Sequence, residues 1–125
     1  MKGVKIYYPK GTGVEVWTVQ GFTFDQSVIS GAGIIGLYVG EYQYGRSSGV
    51  SITNSTIARS RTNAIAIFGV GWTPSHHNNY INNNIITQNH WHGLWGVDGV
   101  QNGITDGGQV FIADVPNLEF KNNIV

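Results

Sequence analysis

The chain has 125 residues, enough for one domain (1–125) with a modest core. Seven basic residues balance seven acidic ones and only 11% of the chain is charged, which makes it a poor electrostatic partner for nucleic acid or an anionic membrane surface. The absence of cysteine excludes a disulfide framework and thiolate chemistry, and eighteen glycines with many asparagines disfavour helices, while 41% apolar residues rich in Val, Ile and aromatics are strand composition.

In chain order, residues 1–12 read as an irregular start with no apolar signal core. Val14-Glu15-Val16 is the first short strand, followed by FDQSVI at 24–29. Gly31-Ala32-Gly33-Ile34-Ile35-Gly36 fits G-x-G-x-x-G, but a dinucleotide fingerprint needs a helix next, and LYVGEYQYGRSSG is strand then loop. GLYVG begins at Gly36, VSI and STIA span 50–52 and 55–58, AIAIF spans 64–68, INNNII spans 81–86, GLWGV begins at Gly93, and FKNNIV closes the chain at 120–125. No run approaches the length of an apolar membrane-spanning helix.

These segments recur in step. Phe24 to Ile52 is 28 residues and Ile52 to Ile81 is 29; Leu37 to Ile65 is 28 and Ile65 to Leu94 is 29. Two landmarks keeping one period define an internal repeat. Ile81 to Phe120 is 39, so that unit carries an insertion of about ten residues, placed in the Gly- and Asp-rich loop within 98–117. Short strands at a fixed period predict an all-β solenoid of about four coils, three strands per coil, with equivalent residues about 4.8 Å apart in parallel register. The alternative is an antiparallel β-sandwich. Asn54, Asn83 and Asn122, with Gln26 in the loosest copy, share one turn position, where an amide tolerates the left-handed conformation and can bond from coil to coil. Their side chains are expected to point inward, which would bury Asn54 of the Asn54-Ser55-Thr56 sequon and Asn83, and leave Asn79 in an adjoining loop.

This pattern resembles the right-handed parallel β-helix of pectate lyases, polygalacturonases, alginate-modifying enzymes and phage tailspikes, over roughly residues 13 to 125. The resemblance implies that the asparagine corner joins the second and third strands of each coil. It also implies that the outer face of the AIAIF-type strand forms a sugar groove, and that the protein works outside the cell or at its surface. The family's Asn-Thr-Asp, paired-Asp and Asp-Pro-His-Asp motifs and its acid-rich calcium cluster are missing; only His92-Gly93 echoes a Gly-His-Gly element.

On the expected face, alternation sends Glu15, Tyr38, Ala66 and Trp95 outward. Glu41, Gly69 and Asp98 share the position beyond the strand; Arg59, Arg61, Gln88, His90 and His92 precede it. Glu41 and Asp98 would lie about 9.6 Å apart at two strand spacings, close to the roughly 6.5–9.5 Å of an inverting glycosidase pair. His90 or His92 suits a base near neutral pH, Arg59 and Arg61 suit a uronate carboxylate, and Tyr38, Trp95 and Glu15 suit sugar contact. The structural alternatives are solvated turn acids and cations, and loop histidines; His76-His77 read as loop residues. No cofactor or metal is expected. The expected function is recognition or processing of a polysaccharide, with a non-catalytic structural or sugar-binding solenoid as the alternative. Because FKNNIV stops midway through a unit, the open ends are expected to be covered by a second copy or by a longer parent chain.

Overall fold

A computed structural model of the chain describes residues 1–41, 47–69, 78–89, 109–113, 115 and 117–125. A strand β1 (Lys5–Tyr7) precedes a first circuit of β2 (Val14–Trp17), β3 (Thr23–Asp25) and β4 (Val28–Ser30), in which β4 stacks on β1. The next comprises β5 (Leu37–Gly40), β6 (Ser51–Thr53) and β7 (Thr56–Ala58), then β8 (Ile65–Phe68), β9 (Asn79–Asn82) and β10 (Ile85–Thr87). The last comprises β11 (Val110–Ala113) and β12 (Leu118–Lys121), and Ile124 closes it by a parallel bridge to Ile85. Every strand pairing among the described residues is parallel. The strands stack into three four-stranded sheets: a first of β2-β5-β8-β11, a second of β3-β6-β9-β12 and a third of β1-β4-β7-β10. This is a right-handed parallel β-helix, and no helix occurs among the described residues.

The core follows from side-chain alternation on short strands. Leu37 and Val39, Ile65 and Ile67 point inward from the first sheet; Phe24, Ile52 and Ile81 do so from the second, and Ile29, Ile57 and Ile86 from the third, all fully or almost fully buried. Because the coils are in register, these inward apolar residues stack on one another one strand spacing away. β-Branched residues, stiff about χ1 and shaped for a pleated surface, therefore fill the interior in columns.

The corner between the second and third sheets corrects the expected amide column by one residue. Gln26, Asn54, Asn83 and Asn122 do adopt the left-handed conformation, with φ between 49° and 59°. Their side chains are nonetheless solvent-facing: Asn54 Nδ2 donates to Asp25 Oδ1 at 2.8 Å, and Asn122 Nδ2 donates to Asn83 Oδ1 at 3.2 Å. The left-handed residue resets the in–out alternation, so the following residue turns inward. Ser27, Ser55 and Asn84 are 1–3% exposed and carry the buried ladder. Ser27 Oγ accepts the N–H of Val4, Ser55 Oγ that of Ser27, Asn84 Oδ1 that of Ser55, and Asn123 Oδ1 that of Asn84, each at 3.0–3.1 Å. The serine hydroxyls donate to carbonyls of their own coil, Asp25 and Thr53, whereas the longer Asn84 and Asn123 amides reach the preceding coil at Ile52 and Ile81. Buried backbone groups that the turn takes out of the strand ladder thus find partners. Asn79 is likewise not a loop residue. It is 1% exposed in the inward column beside Val50, whose N–H it accepts at 3.0 Å.

Two boundaries also differ. The irregular start contains β1, and the span 98–117 contains β11. Val110 to Ala113 pair with Ile65 to Phe68, so the strand opposite AIAIF is VFIA and not GLWGV. The extra residues of the long unit therefore lie before this strand, between Asn89 and Gln109; residues 90–108, with Leu94 among them, lie outside the described residues.

Candidate functional site: the outer face of the first sheet

Glu15, Tyr38, Ala66 and Phe111 form one outward column of the first sheet, in direct register. Trp17 pairs with Gly40, and Phe68 with Ala113, in the second outward column. Large and small side chains alternate diagonally between the columns: Trp17 stands beside Glu15, Tyr38 beside Gly40, Phe68 beside Ala66, and Phe111 beside Ala113. Gly40 is required by this packing, since a Cβ there would sit 2.5 Å from Cε1 and Oη of Tyr38. The result is two tilted ring pairs, Trp17–Tyr38 with centroids 4.8 Å apart and Phe68–Phe111 at 4.9 Å. Both are within the range of favourable aromatic contact.

Exposure assigns the rings different roles. Tyr38 keeps 8% of its surface and Ala66 none, while Trp17 keeps 45%. Tyr38, placed outward as expected, is therefore a support, and Trp17 is the accessible platform. Glu15 Oε1 accepts the Trp17 indole N–H at 2.8 Å and so fixes the ring's orientation. Burial raises the Tyr38 phenol above its ordinary value, and the negative charges of Glu15 and Glu41 push it the same way. Glu41 follows β5 and lies over Gly69, where a Cβ would sit 2.6 Å from its Cδ and Oε2.

The structure thus brings Glu15, Tyr38 and Glu41 together. Arg59 is elsewhere, at the left-handed corner after β7 (φ 57°), where its Nε donates to Gln88 Oε1 at 3.1 Å. Arg61 is partly exposed on the same connection, and its backbone N–H donates to the Ala32 carbonyl at 2.9 Å. Asp98, His90, His92 and Trp95 lie outside the described residues, as do His76 and His77. Among the described residues no three His, Asp or Glu side chains converge as metal ligands would. Trp17 was missed in the sequence although it was available there, two residues beyond Glu15 on the same strand and hence on the same face.

The G-x-G-x-x-G stretch is accounted for without a ligand. It is the corner between β4 and β5: Gly31 has φ +75°, and a Cβ on Gly36 would sit 2.5 Å from the Ala64 carbonyl oxygen of the next coil. Comparison with known proteins gives no matching family model, no matching curated protein and no matching solved structure.

Proposed function

We propose that the outer face of the first sheet recognises carbohydrate, as on the pectate-lyase-like β-helices whose repeat this chain resembles. The observation that carries the reading is the exposed Trp17 ring, backed by Tyr38 and held by Glu15, with a second carboxylate at Glu41. A sugar presents an apolar ring face and hydroxyl edges. An indole supplies the flat apolar partner, and carboxylates accept the hydroxyl hydrogens. Four strands about 4.8 Å apart extend this face along the solenoid, which suits a polymer better than a monosaccharide. The partner is thus a polysaccharide or oligosaccharide.

A second reading is processing of that polymer, favoured by two carboxylates at one sheet, Glu15 in its outward column and Glu41 at its border. In this reading Glu41 works with Asp98, and His90 or His92 serves as base. Glycan binding and turnover separate the two. Neutral and uronic-acid oligosaccharides are titrated into the protein by calorimetry, and the same set is assayed for new reducing ends and unsaturated products. Binding without products supports recognition alone, products support processing, and no binding to any glycan overturns both.

A further inference from the structure

The aromatic residues of the first sheet recur at a fixed interval. Gly40 and Phe68 follow the Val39–Ile67 register pair, so the second outward column runs Trp17, Gly40, Phe68, Ala113. Trp17 to Phe68 is therefore a step of two strands, and so is Tyr38 to Phe111 in the first column, about 9.6 Å at two strand spacings. The Trp17–Tyr38 and Phe68–Phe111 ring pairs, with centroids 4.8 Å and 4.9 Å apart, are thus one arrangement repeated by that step. The position between Trp17 and Phe68 is filled and not hollow. The Tyr38 phenol lies over Gly40, where a Cβ would sit 2.5 Å from its Oη. Trp17 is 45% exposed, and Phe68 and Phe111 are partly exposed. The face therefore offers open rings at alternate strands with a level surface between them.

Charge narrows what such a face accepts. The four strands of the sheet, VEVW, LYVG, IAIF and VFIA, contain no lysine or arginine, and Glu15 is their only charged residue. Glu15 accepts the Trp17 indole N–H at 2.8 Å, which sets a negative charge beside the most accessible ring. A uronate chain is repelled there, whereas the hydroxyls of a neutral sugar can donate to the carboxylate.

We infer that the first sheet binds a neutral β-1,4-linked glycan laid along the solenoid, with Trp17 under one pyranose ring and Phe68 under the next but one. Successive rings of such an extended chain turn over, so the same ring face returns every second residue, after a length close to two strand spacings. Aromatic rings at alternate strands meet that face each time it returns, whereas the wound path of an α-1,4-linked chain carries its rings out of step. The inference rests on the carbohydrate reading and names its polymer. The test is calorimetric titration of the protein with β-1,4-linked gluco-, xylo- and manno-oligosaccharides, from disaccharide to hexasaccharide, beside maltohexaose and hexagalacturonate. At least one β-1,4-linked series is expected to bind, with a tenfold or greater gain from disaccharide to trisaccharide, where the second ring is reached. Maltohexaose and hexagalacturonate should bind at least tenfold more weakly than the hexasaccharide of that series. Phe68→Ala, its fold checked by circular dichroism, should lose the gain at the trisaccharide and keep the disaccharide affinity. Binding that depends on Trp17 but favours maltohexaose or hexagalacturonate would overturn the β-1,4 assignment and leave the carbohydrate reading intact. So would affinity in the parent protein that rises evenly with chain length. No binding to any of these glycans would overturn both.

Discussion

Asn83 and Asn84 are adjacent, yet they hold the corner by different means. Asn84 is buried and bonds the Ser55 N–H, the Ile52 carbonyl and the Asn123 side chain. Asn84→Ala leaves the buried Ser55 N–H without its acceptor and should cost about 1–3 kcal/mol in denaturant titration. Asn84→Ser should cost less, because serine does the same work at Ser27 and Ser55. Asn83→Gly should stay within about 0.5 kcal/mol of the parent, since Asn83 is exposed and glycine accepts its positive φ. If Asn83→Gly proves the more damaging, the buried ladder is misassigned. Two surface carboxylates predict an acid response. Hydrogen bonds from Asn54 and Thr53, with the charge of Lys2, hold the Asp25 carboxyl below its ordinary value; Lys121 and Asn82 do the same for Glu119. A depressed folded value means stability that is present above the unfolded value and lost as pH falls through the folded one. Stability should therefore decline once pH drops below the ordinary carboxylate range, and Asp25→Asn should flatten that decline in a series of urea titrations.

At the scale of strands and corners, the entry to the first sheet is built from small residues. Gly13, Gly36 and Ala64 are in register one residue before β2, β5 and β8, and each coil's backbone closes on the next. A Cβ on Gly13 would lie 2.6 Å from the Gly36 carbonyl oxygen, and one on Gly36 2.5 Å from that of Ala64. Gly36→Ala must shift backbone and should destabilise by about 1–3 kcal/mol. Gly11→Ala, with nothing within 4 Å of its Cβ and no positive φ, should be neutral or slightly stabilising; thermal melts of the two compare them directly. The same sheet shows where the sequence was readable. Columns such as Phe24-Ile52-Ile81 and Leu37-Ile65 could be read because apolar residues recur at a fixed period, and the left-handed corner because amides tolerate it. The inward ladder was displaced by one residue because a positive-φ residue breaks the alternation from which facing is deduced. GLWGV keeps the 29-residue step from AIAIF, whereas VFIA, the strand that pairs with β8, lies off that spacing and is revealed only by the pairing. On the outer face, alternation put Glu15 and Tyr38 in one column, and Glu41 fell on its border as the residue just beyond the strand. That Trp17 and not Tyr38 offers an open ring depends on packing between columns, which spacing alone does not encode.

Across the whole molecule, each coil is stabilised only by its neighbours, so the two ends differ from the middle. Phe24 and Phe120 belong to the same inward column, yet Phe24 is fully buried and Phe120 is 43% exposed, with Ile124 and Val125 exposed beside it. Residues 1–3 run alongside β3, with Asp25 N–H donating to the Met1 carbonyl and Gly3 N–H to the Asp25 carbonyl. The exposed Phe120, Ile124 and Val125 side chains predict that the Phe120 surface pairs with a second copy of the chain. In sedimentation at micromolar concentration the 125-residue chain should form species larger than a monomer, and Phe120→Glu should shift it towards monomer. An equal mass for both proteins would remove that surface from the assembly. Carbohydrate recognition on the first sheet is the central claim, and Trp17 tests it with least ambiguity because its ring is exposed and its loss leaves the core columns intact. The measurement is calorimetric titration of the parent and Trp17→Ala with an oligosaccharide series, with circular dichroism to confirm the fold. The parent should bind at least one of them and Trp17→Ala should bind it tenfold or more weakly, about 1.4 kcal/mol. Equal affinity in both proteins, or no binding by the parent to any glycan, would contradict it.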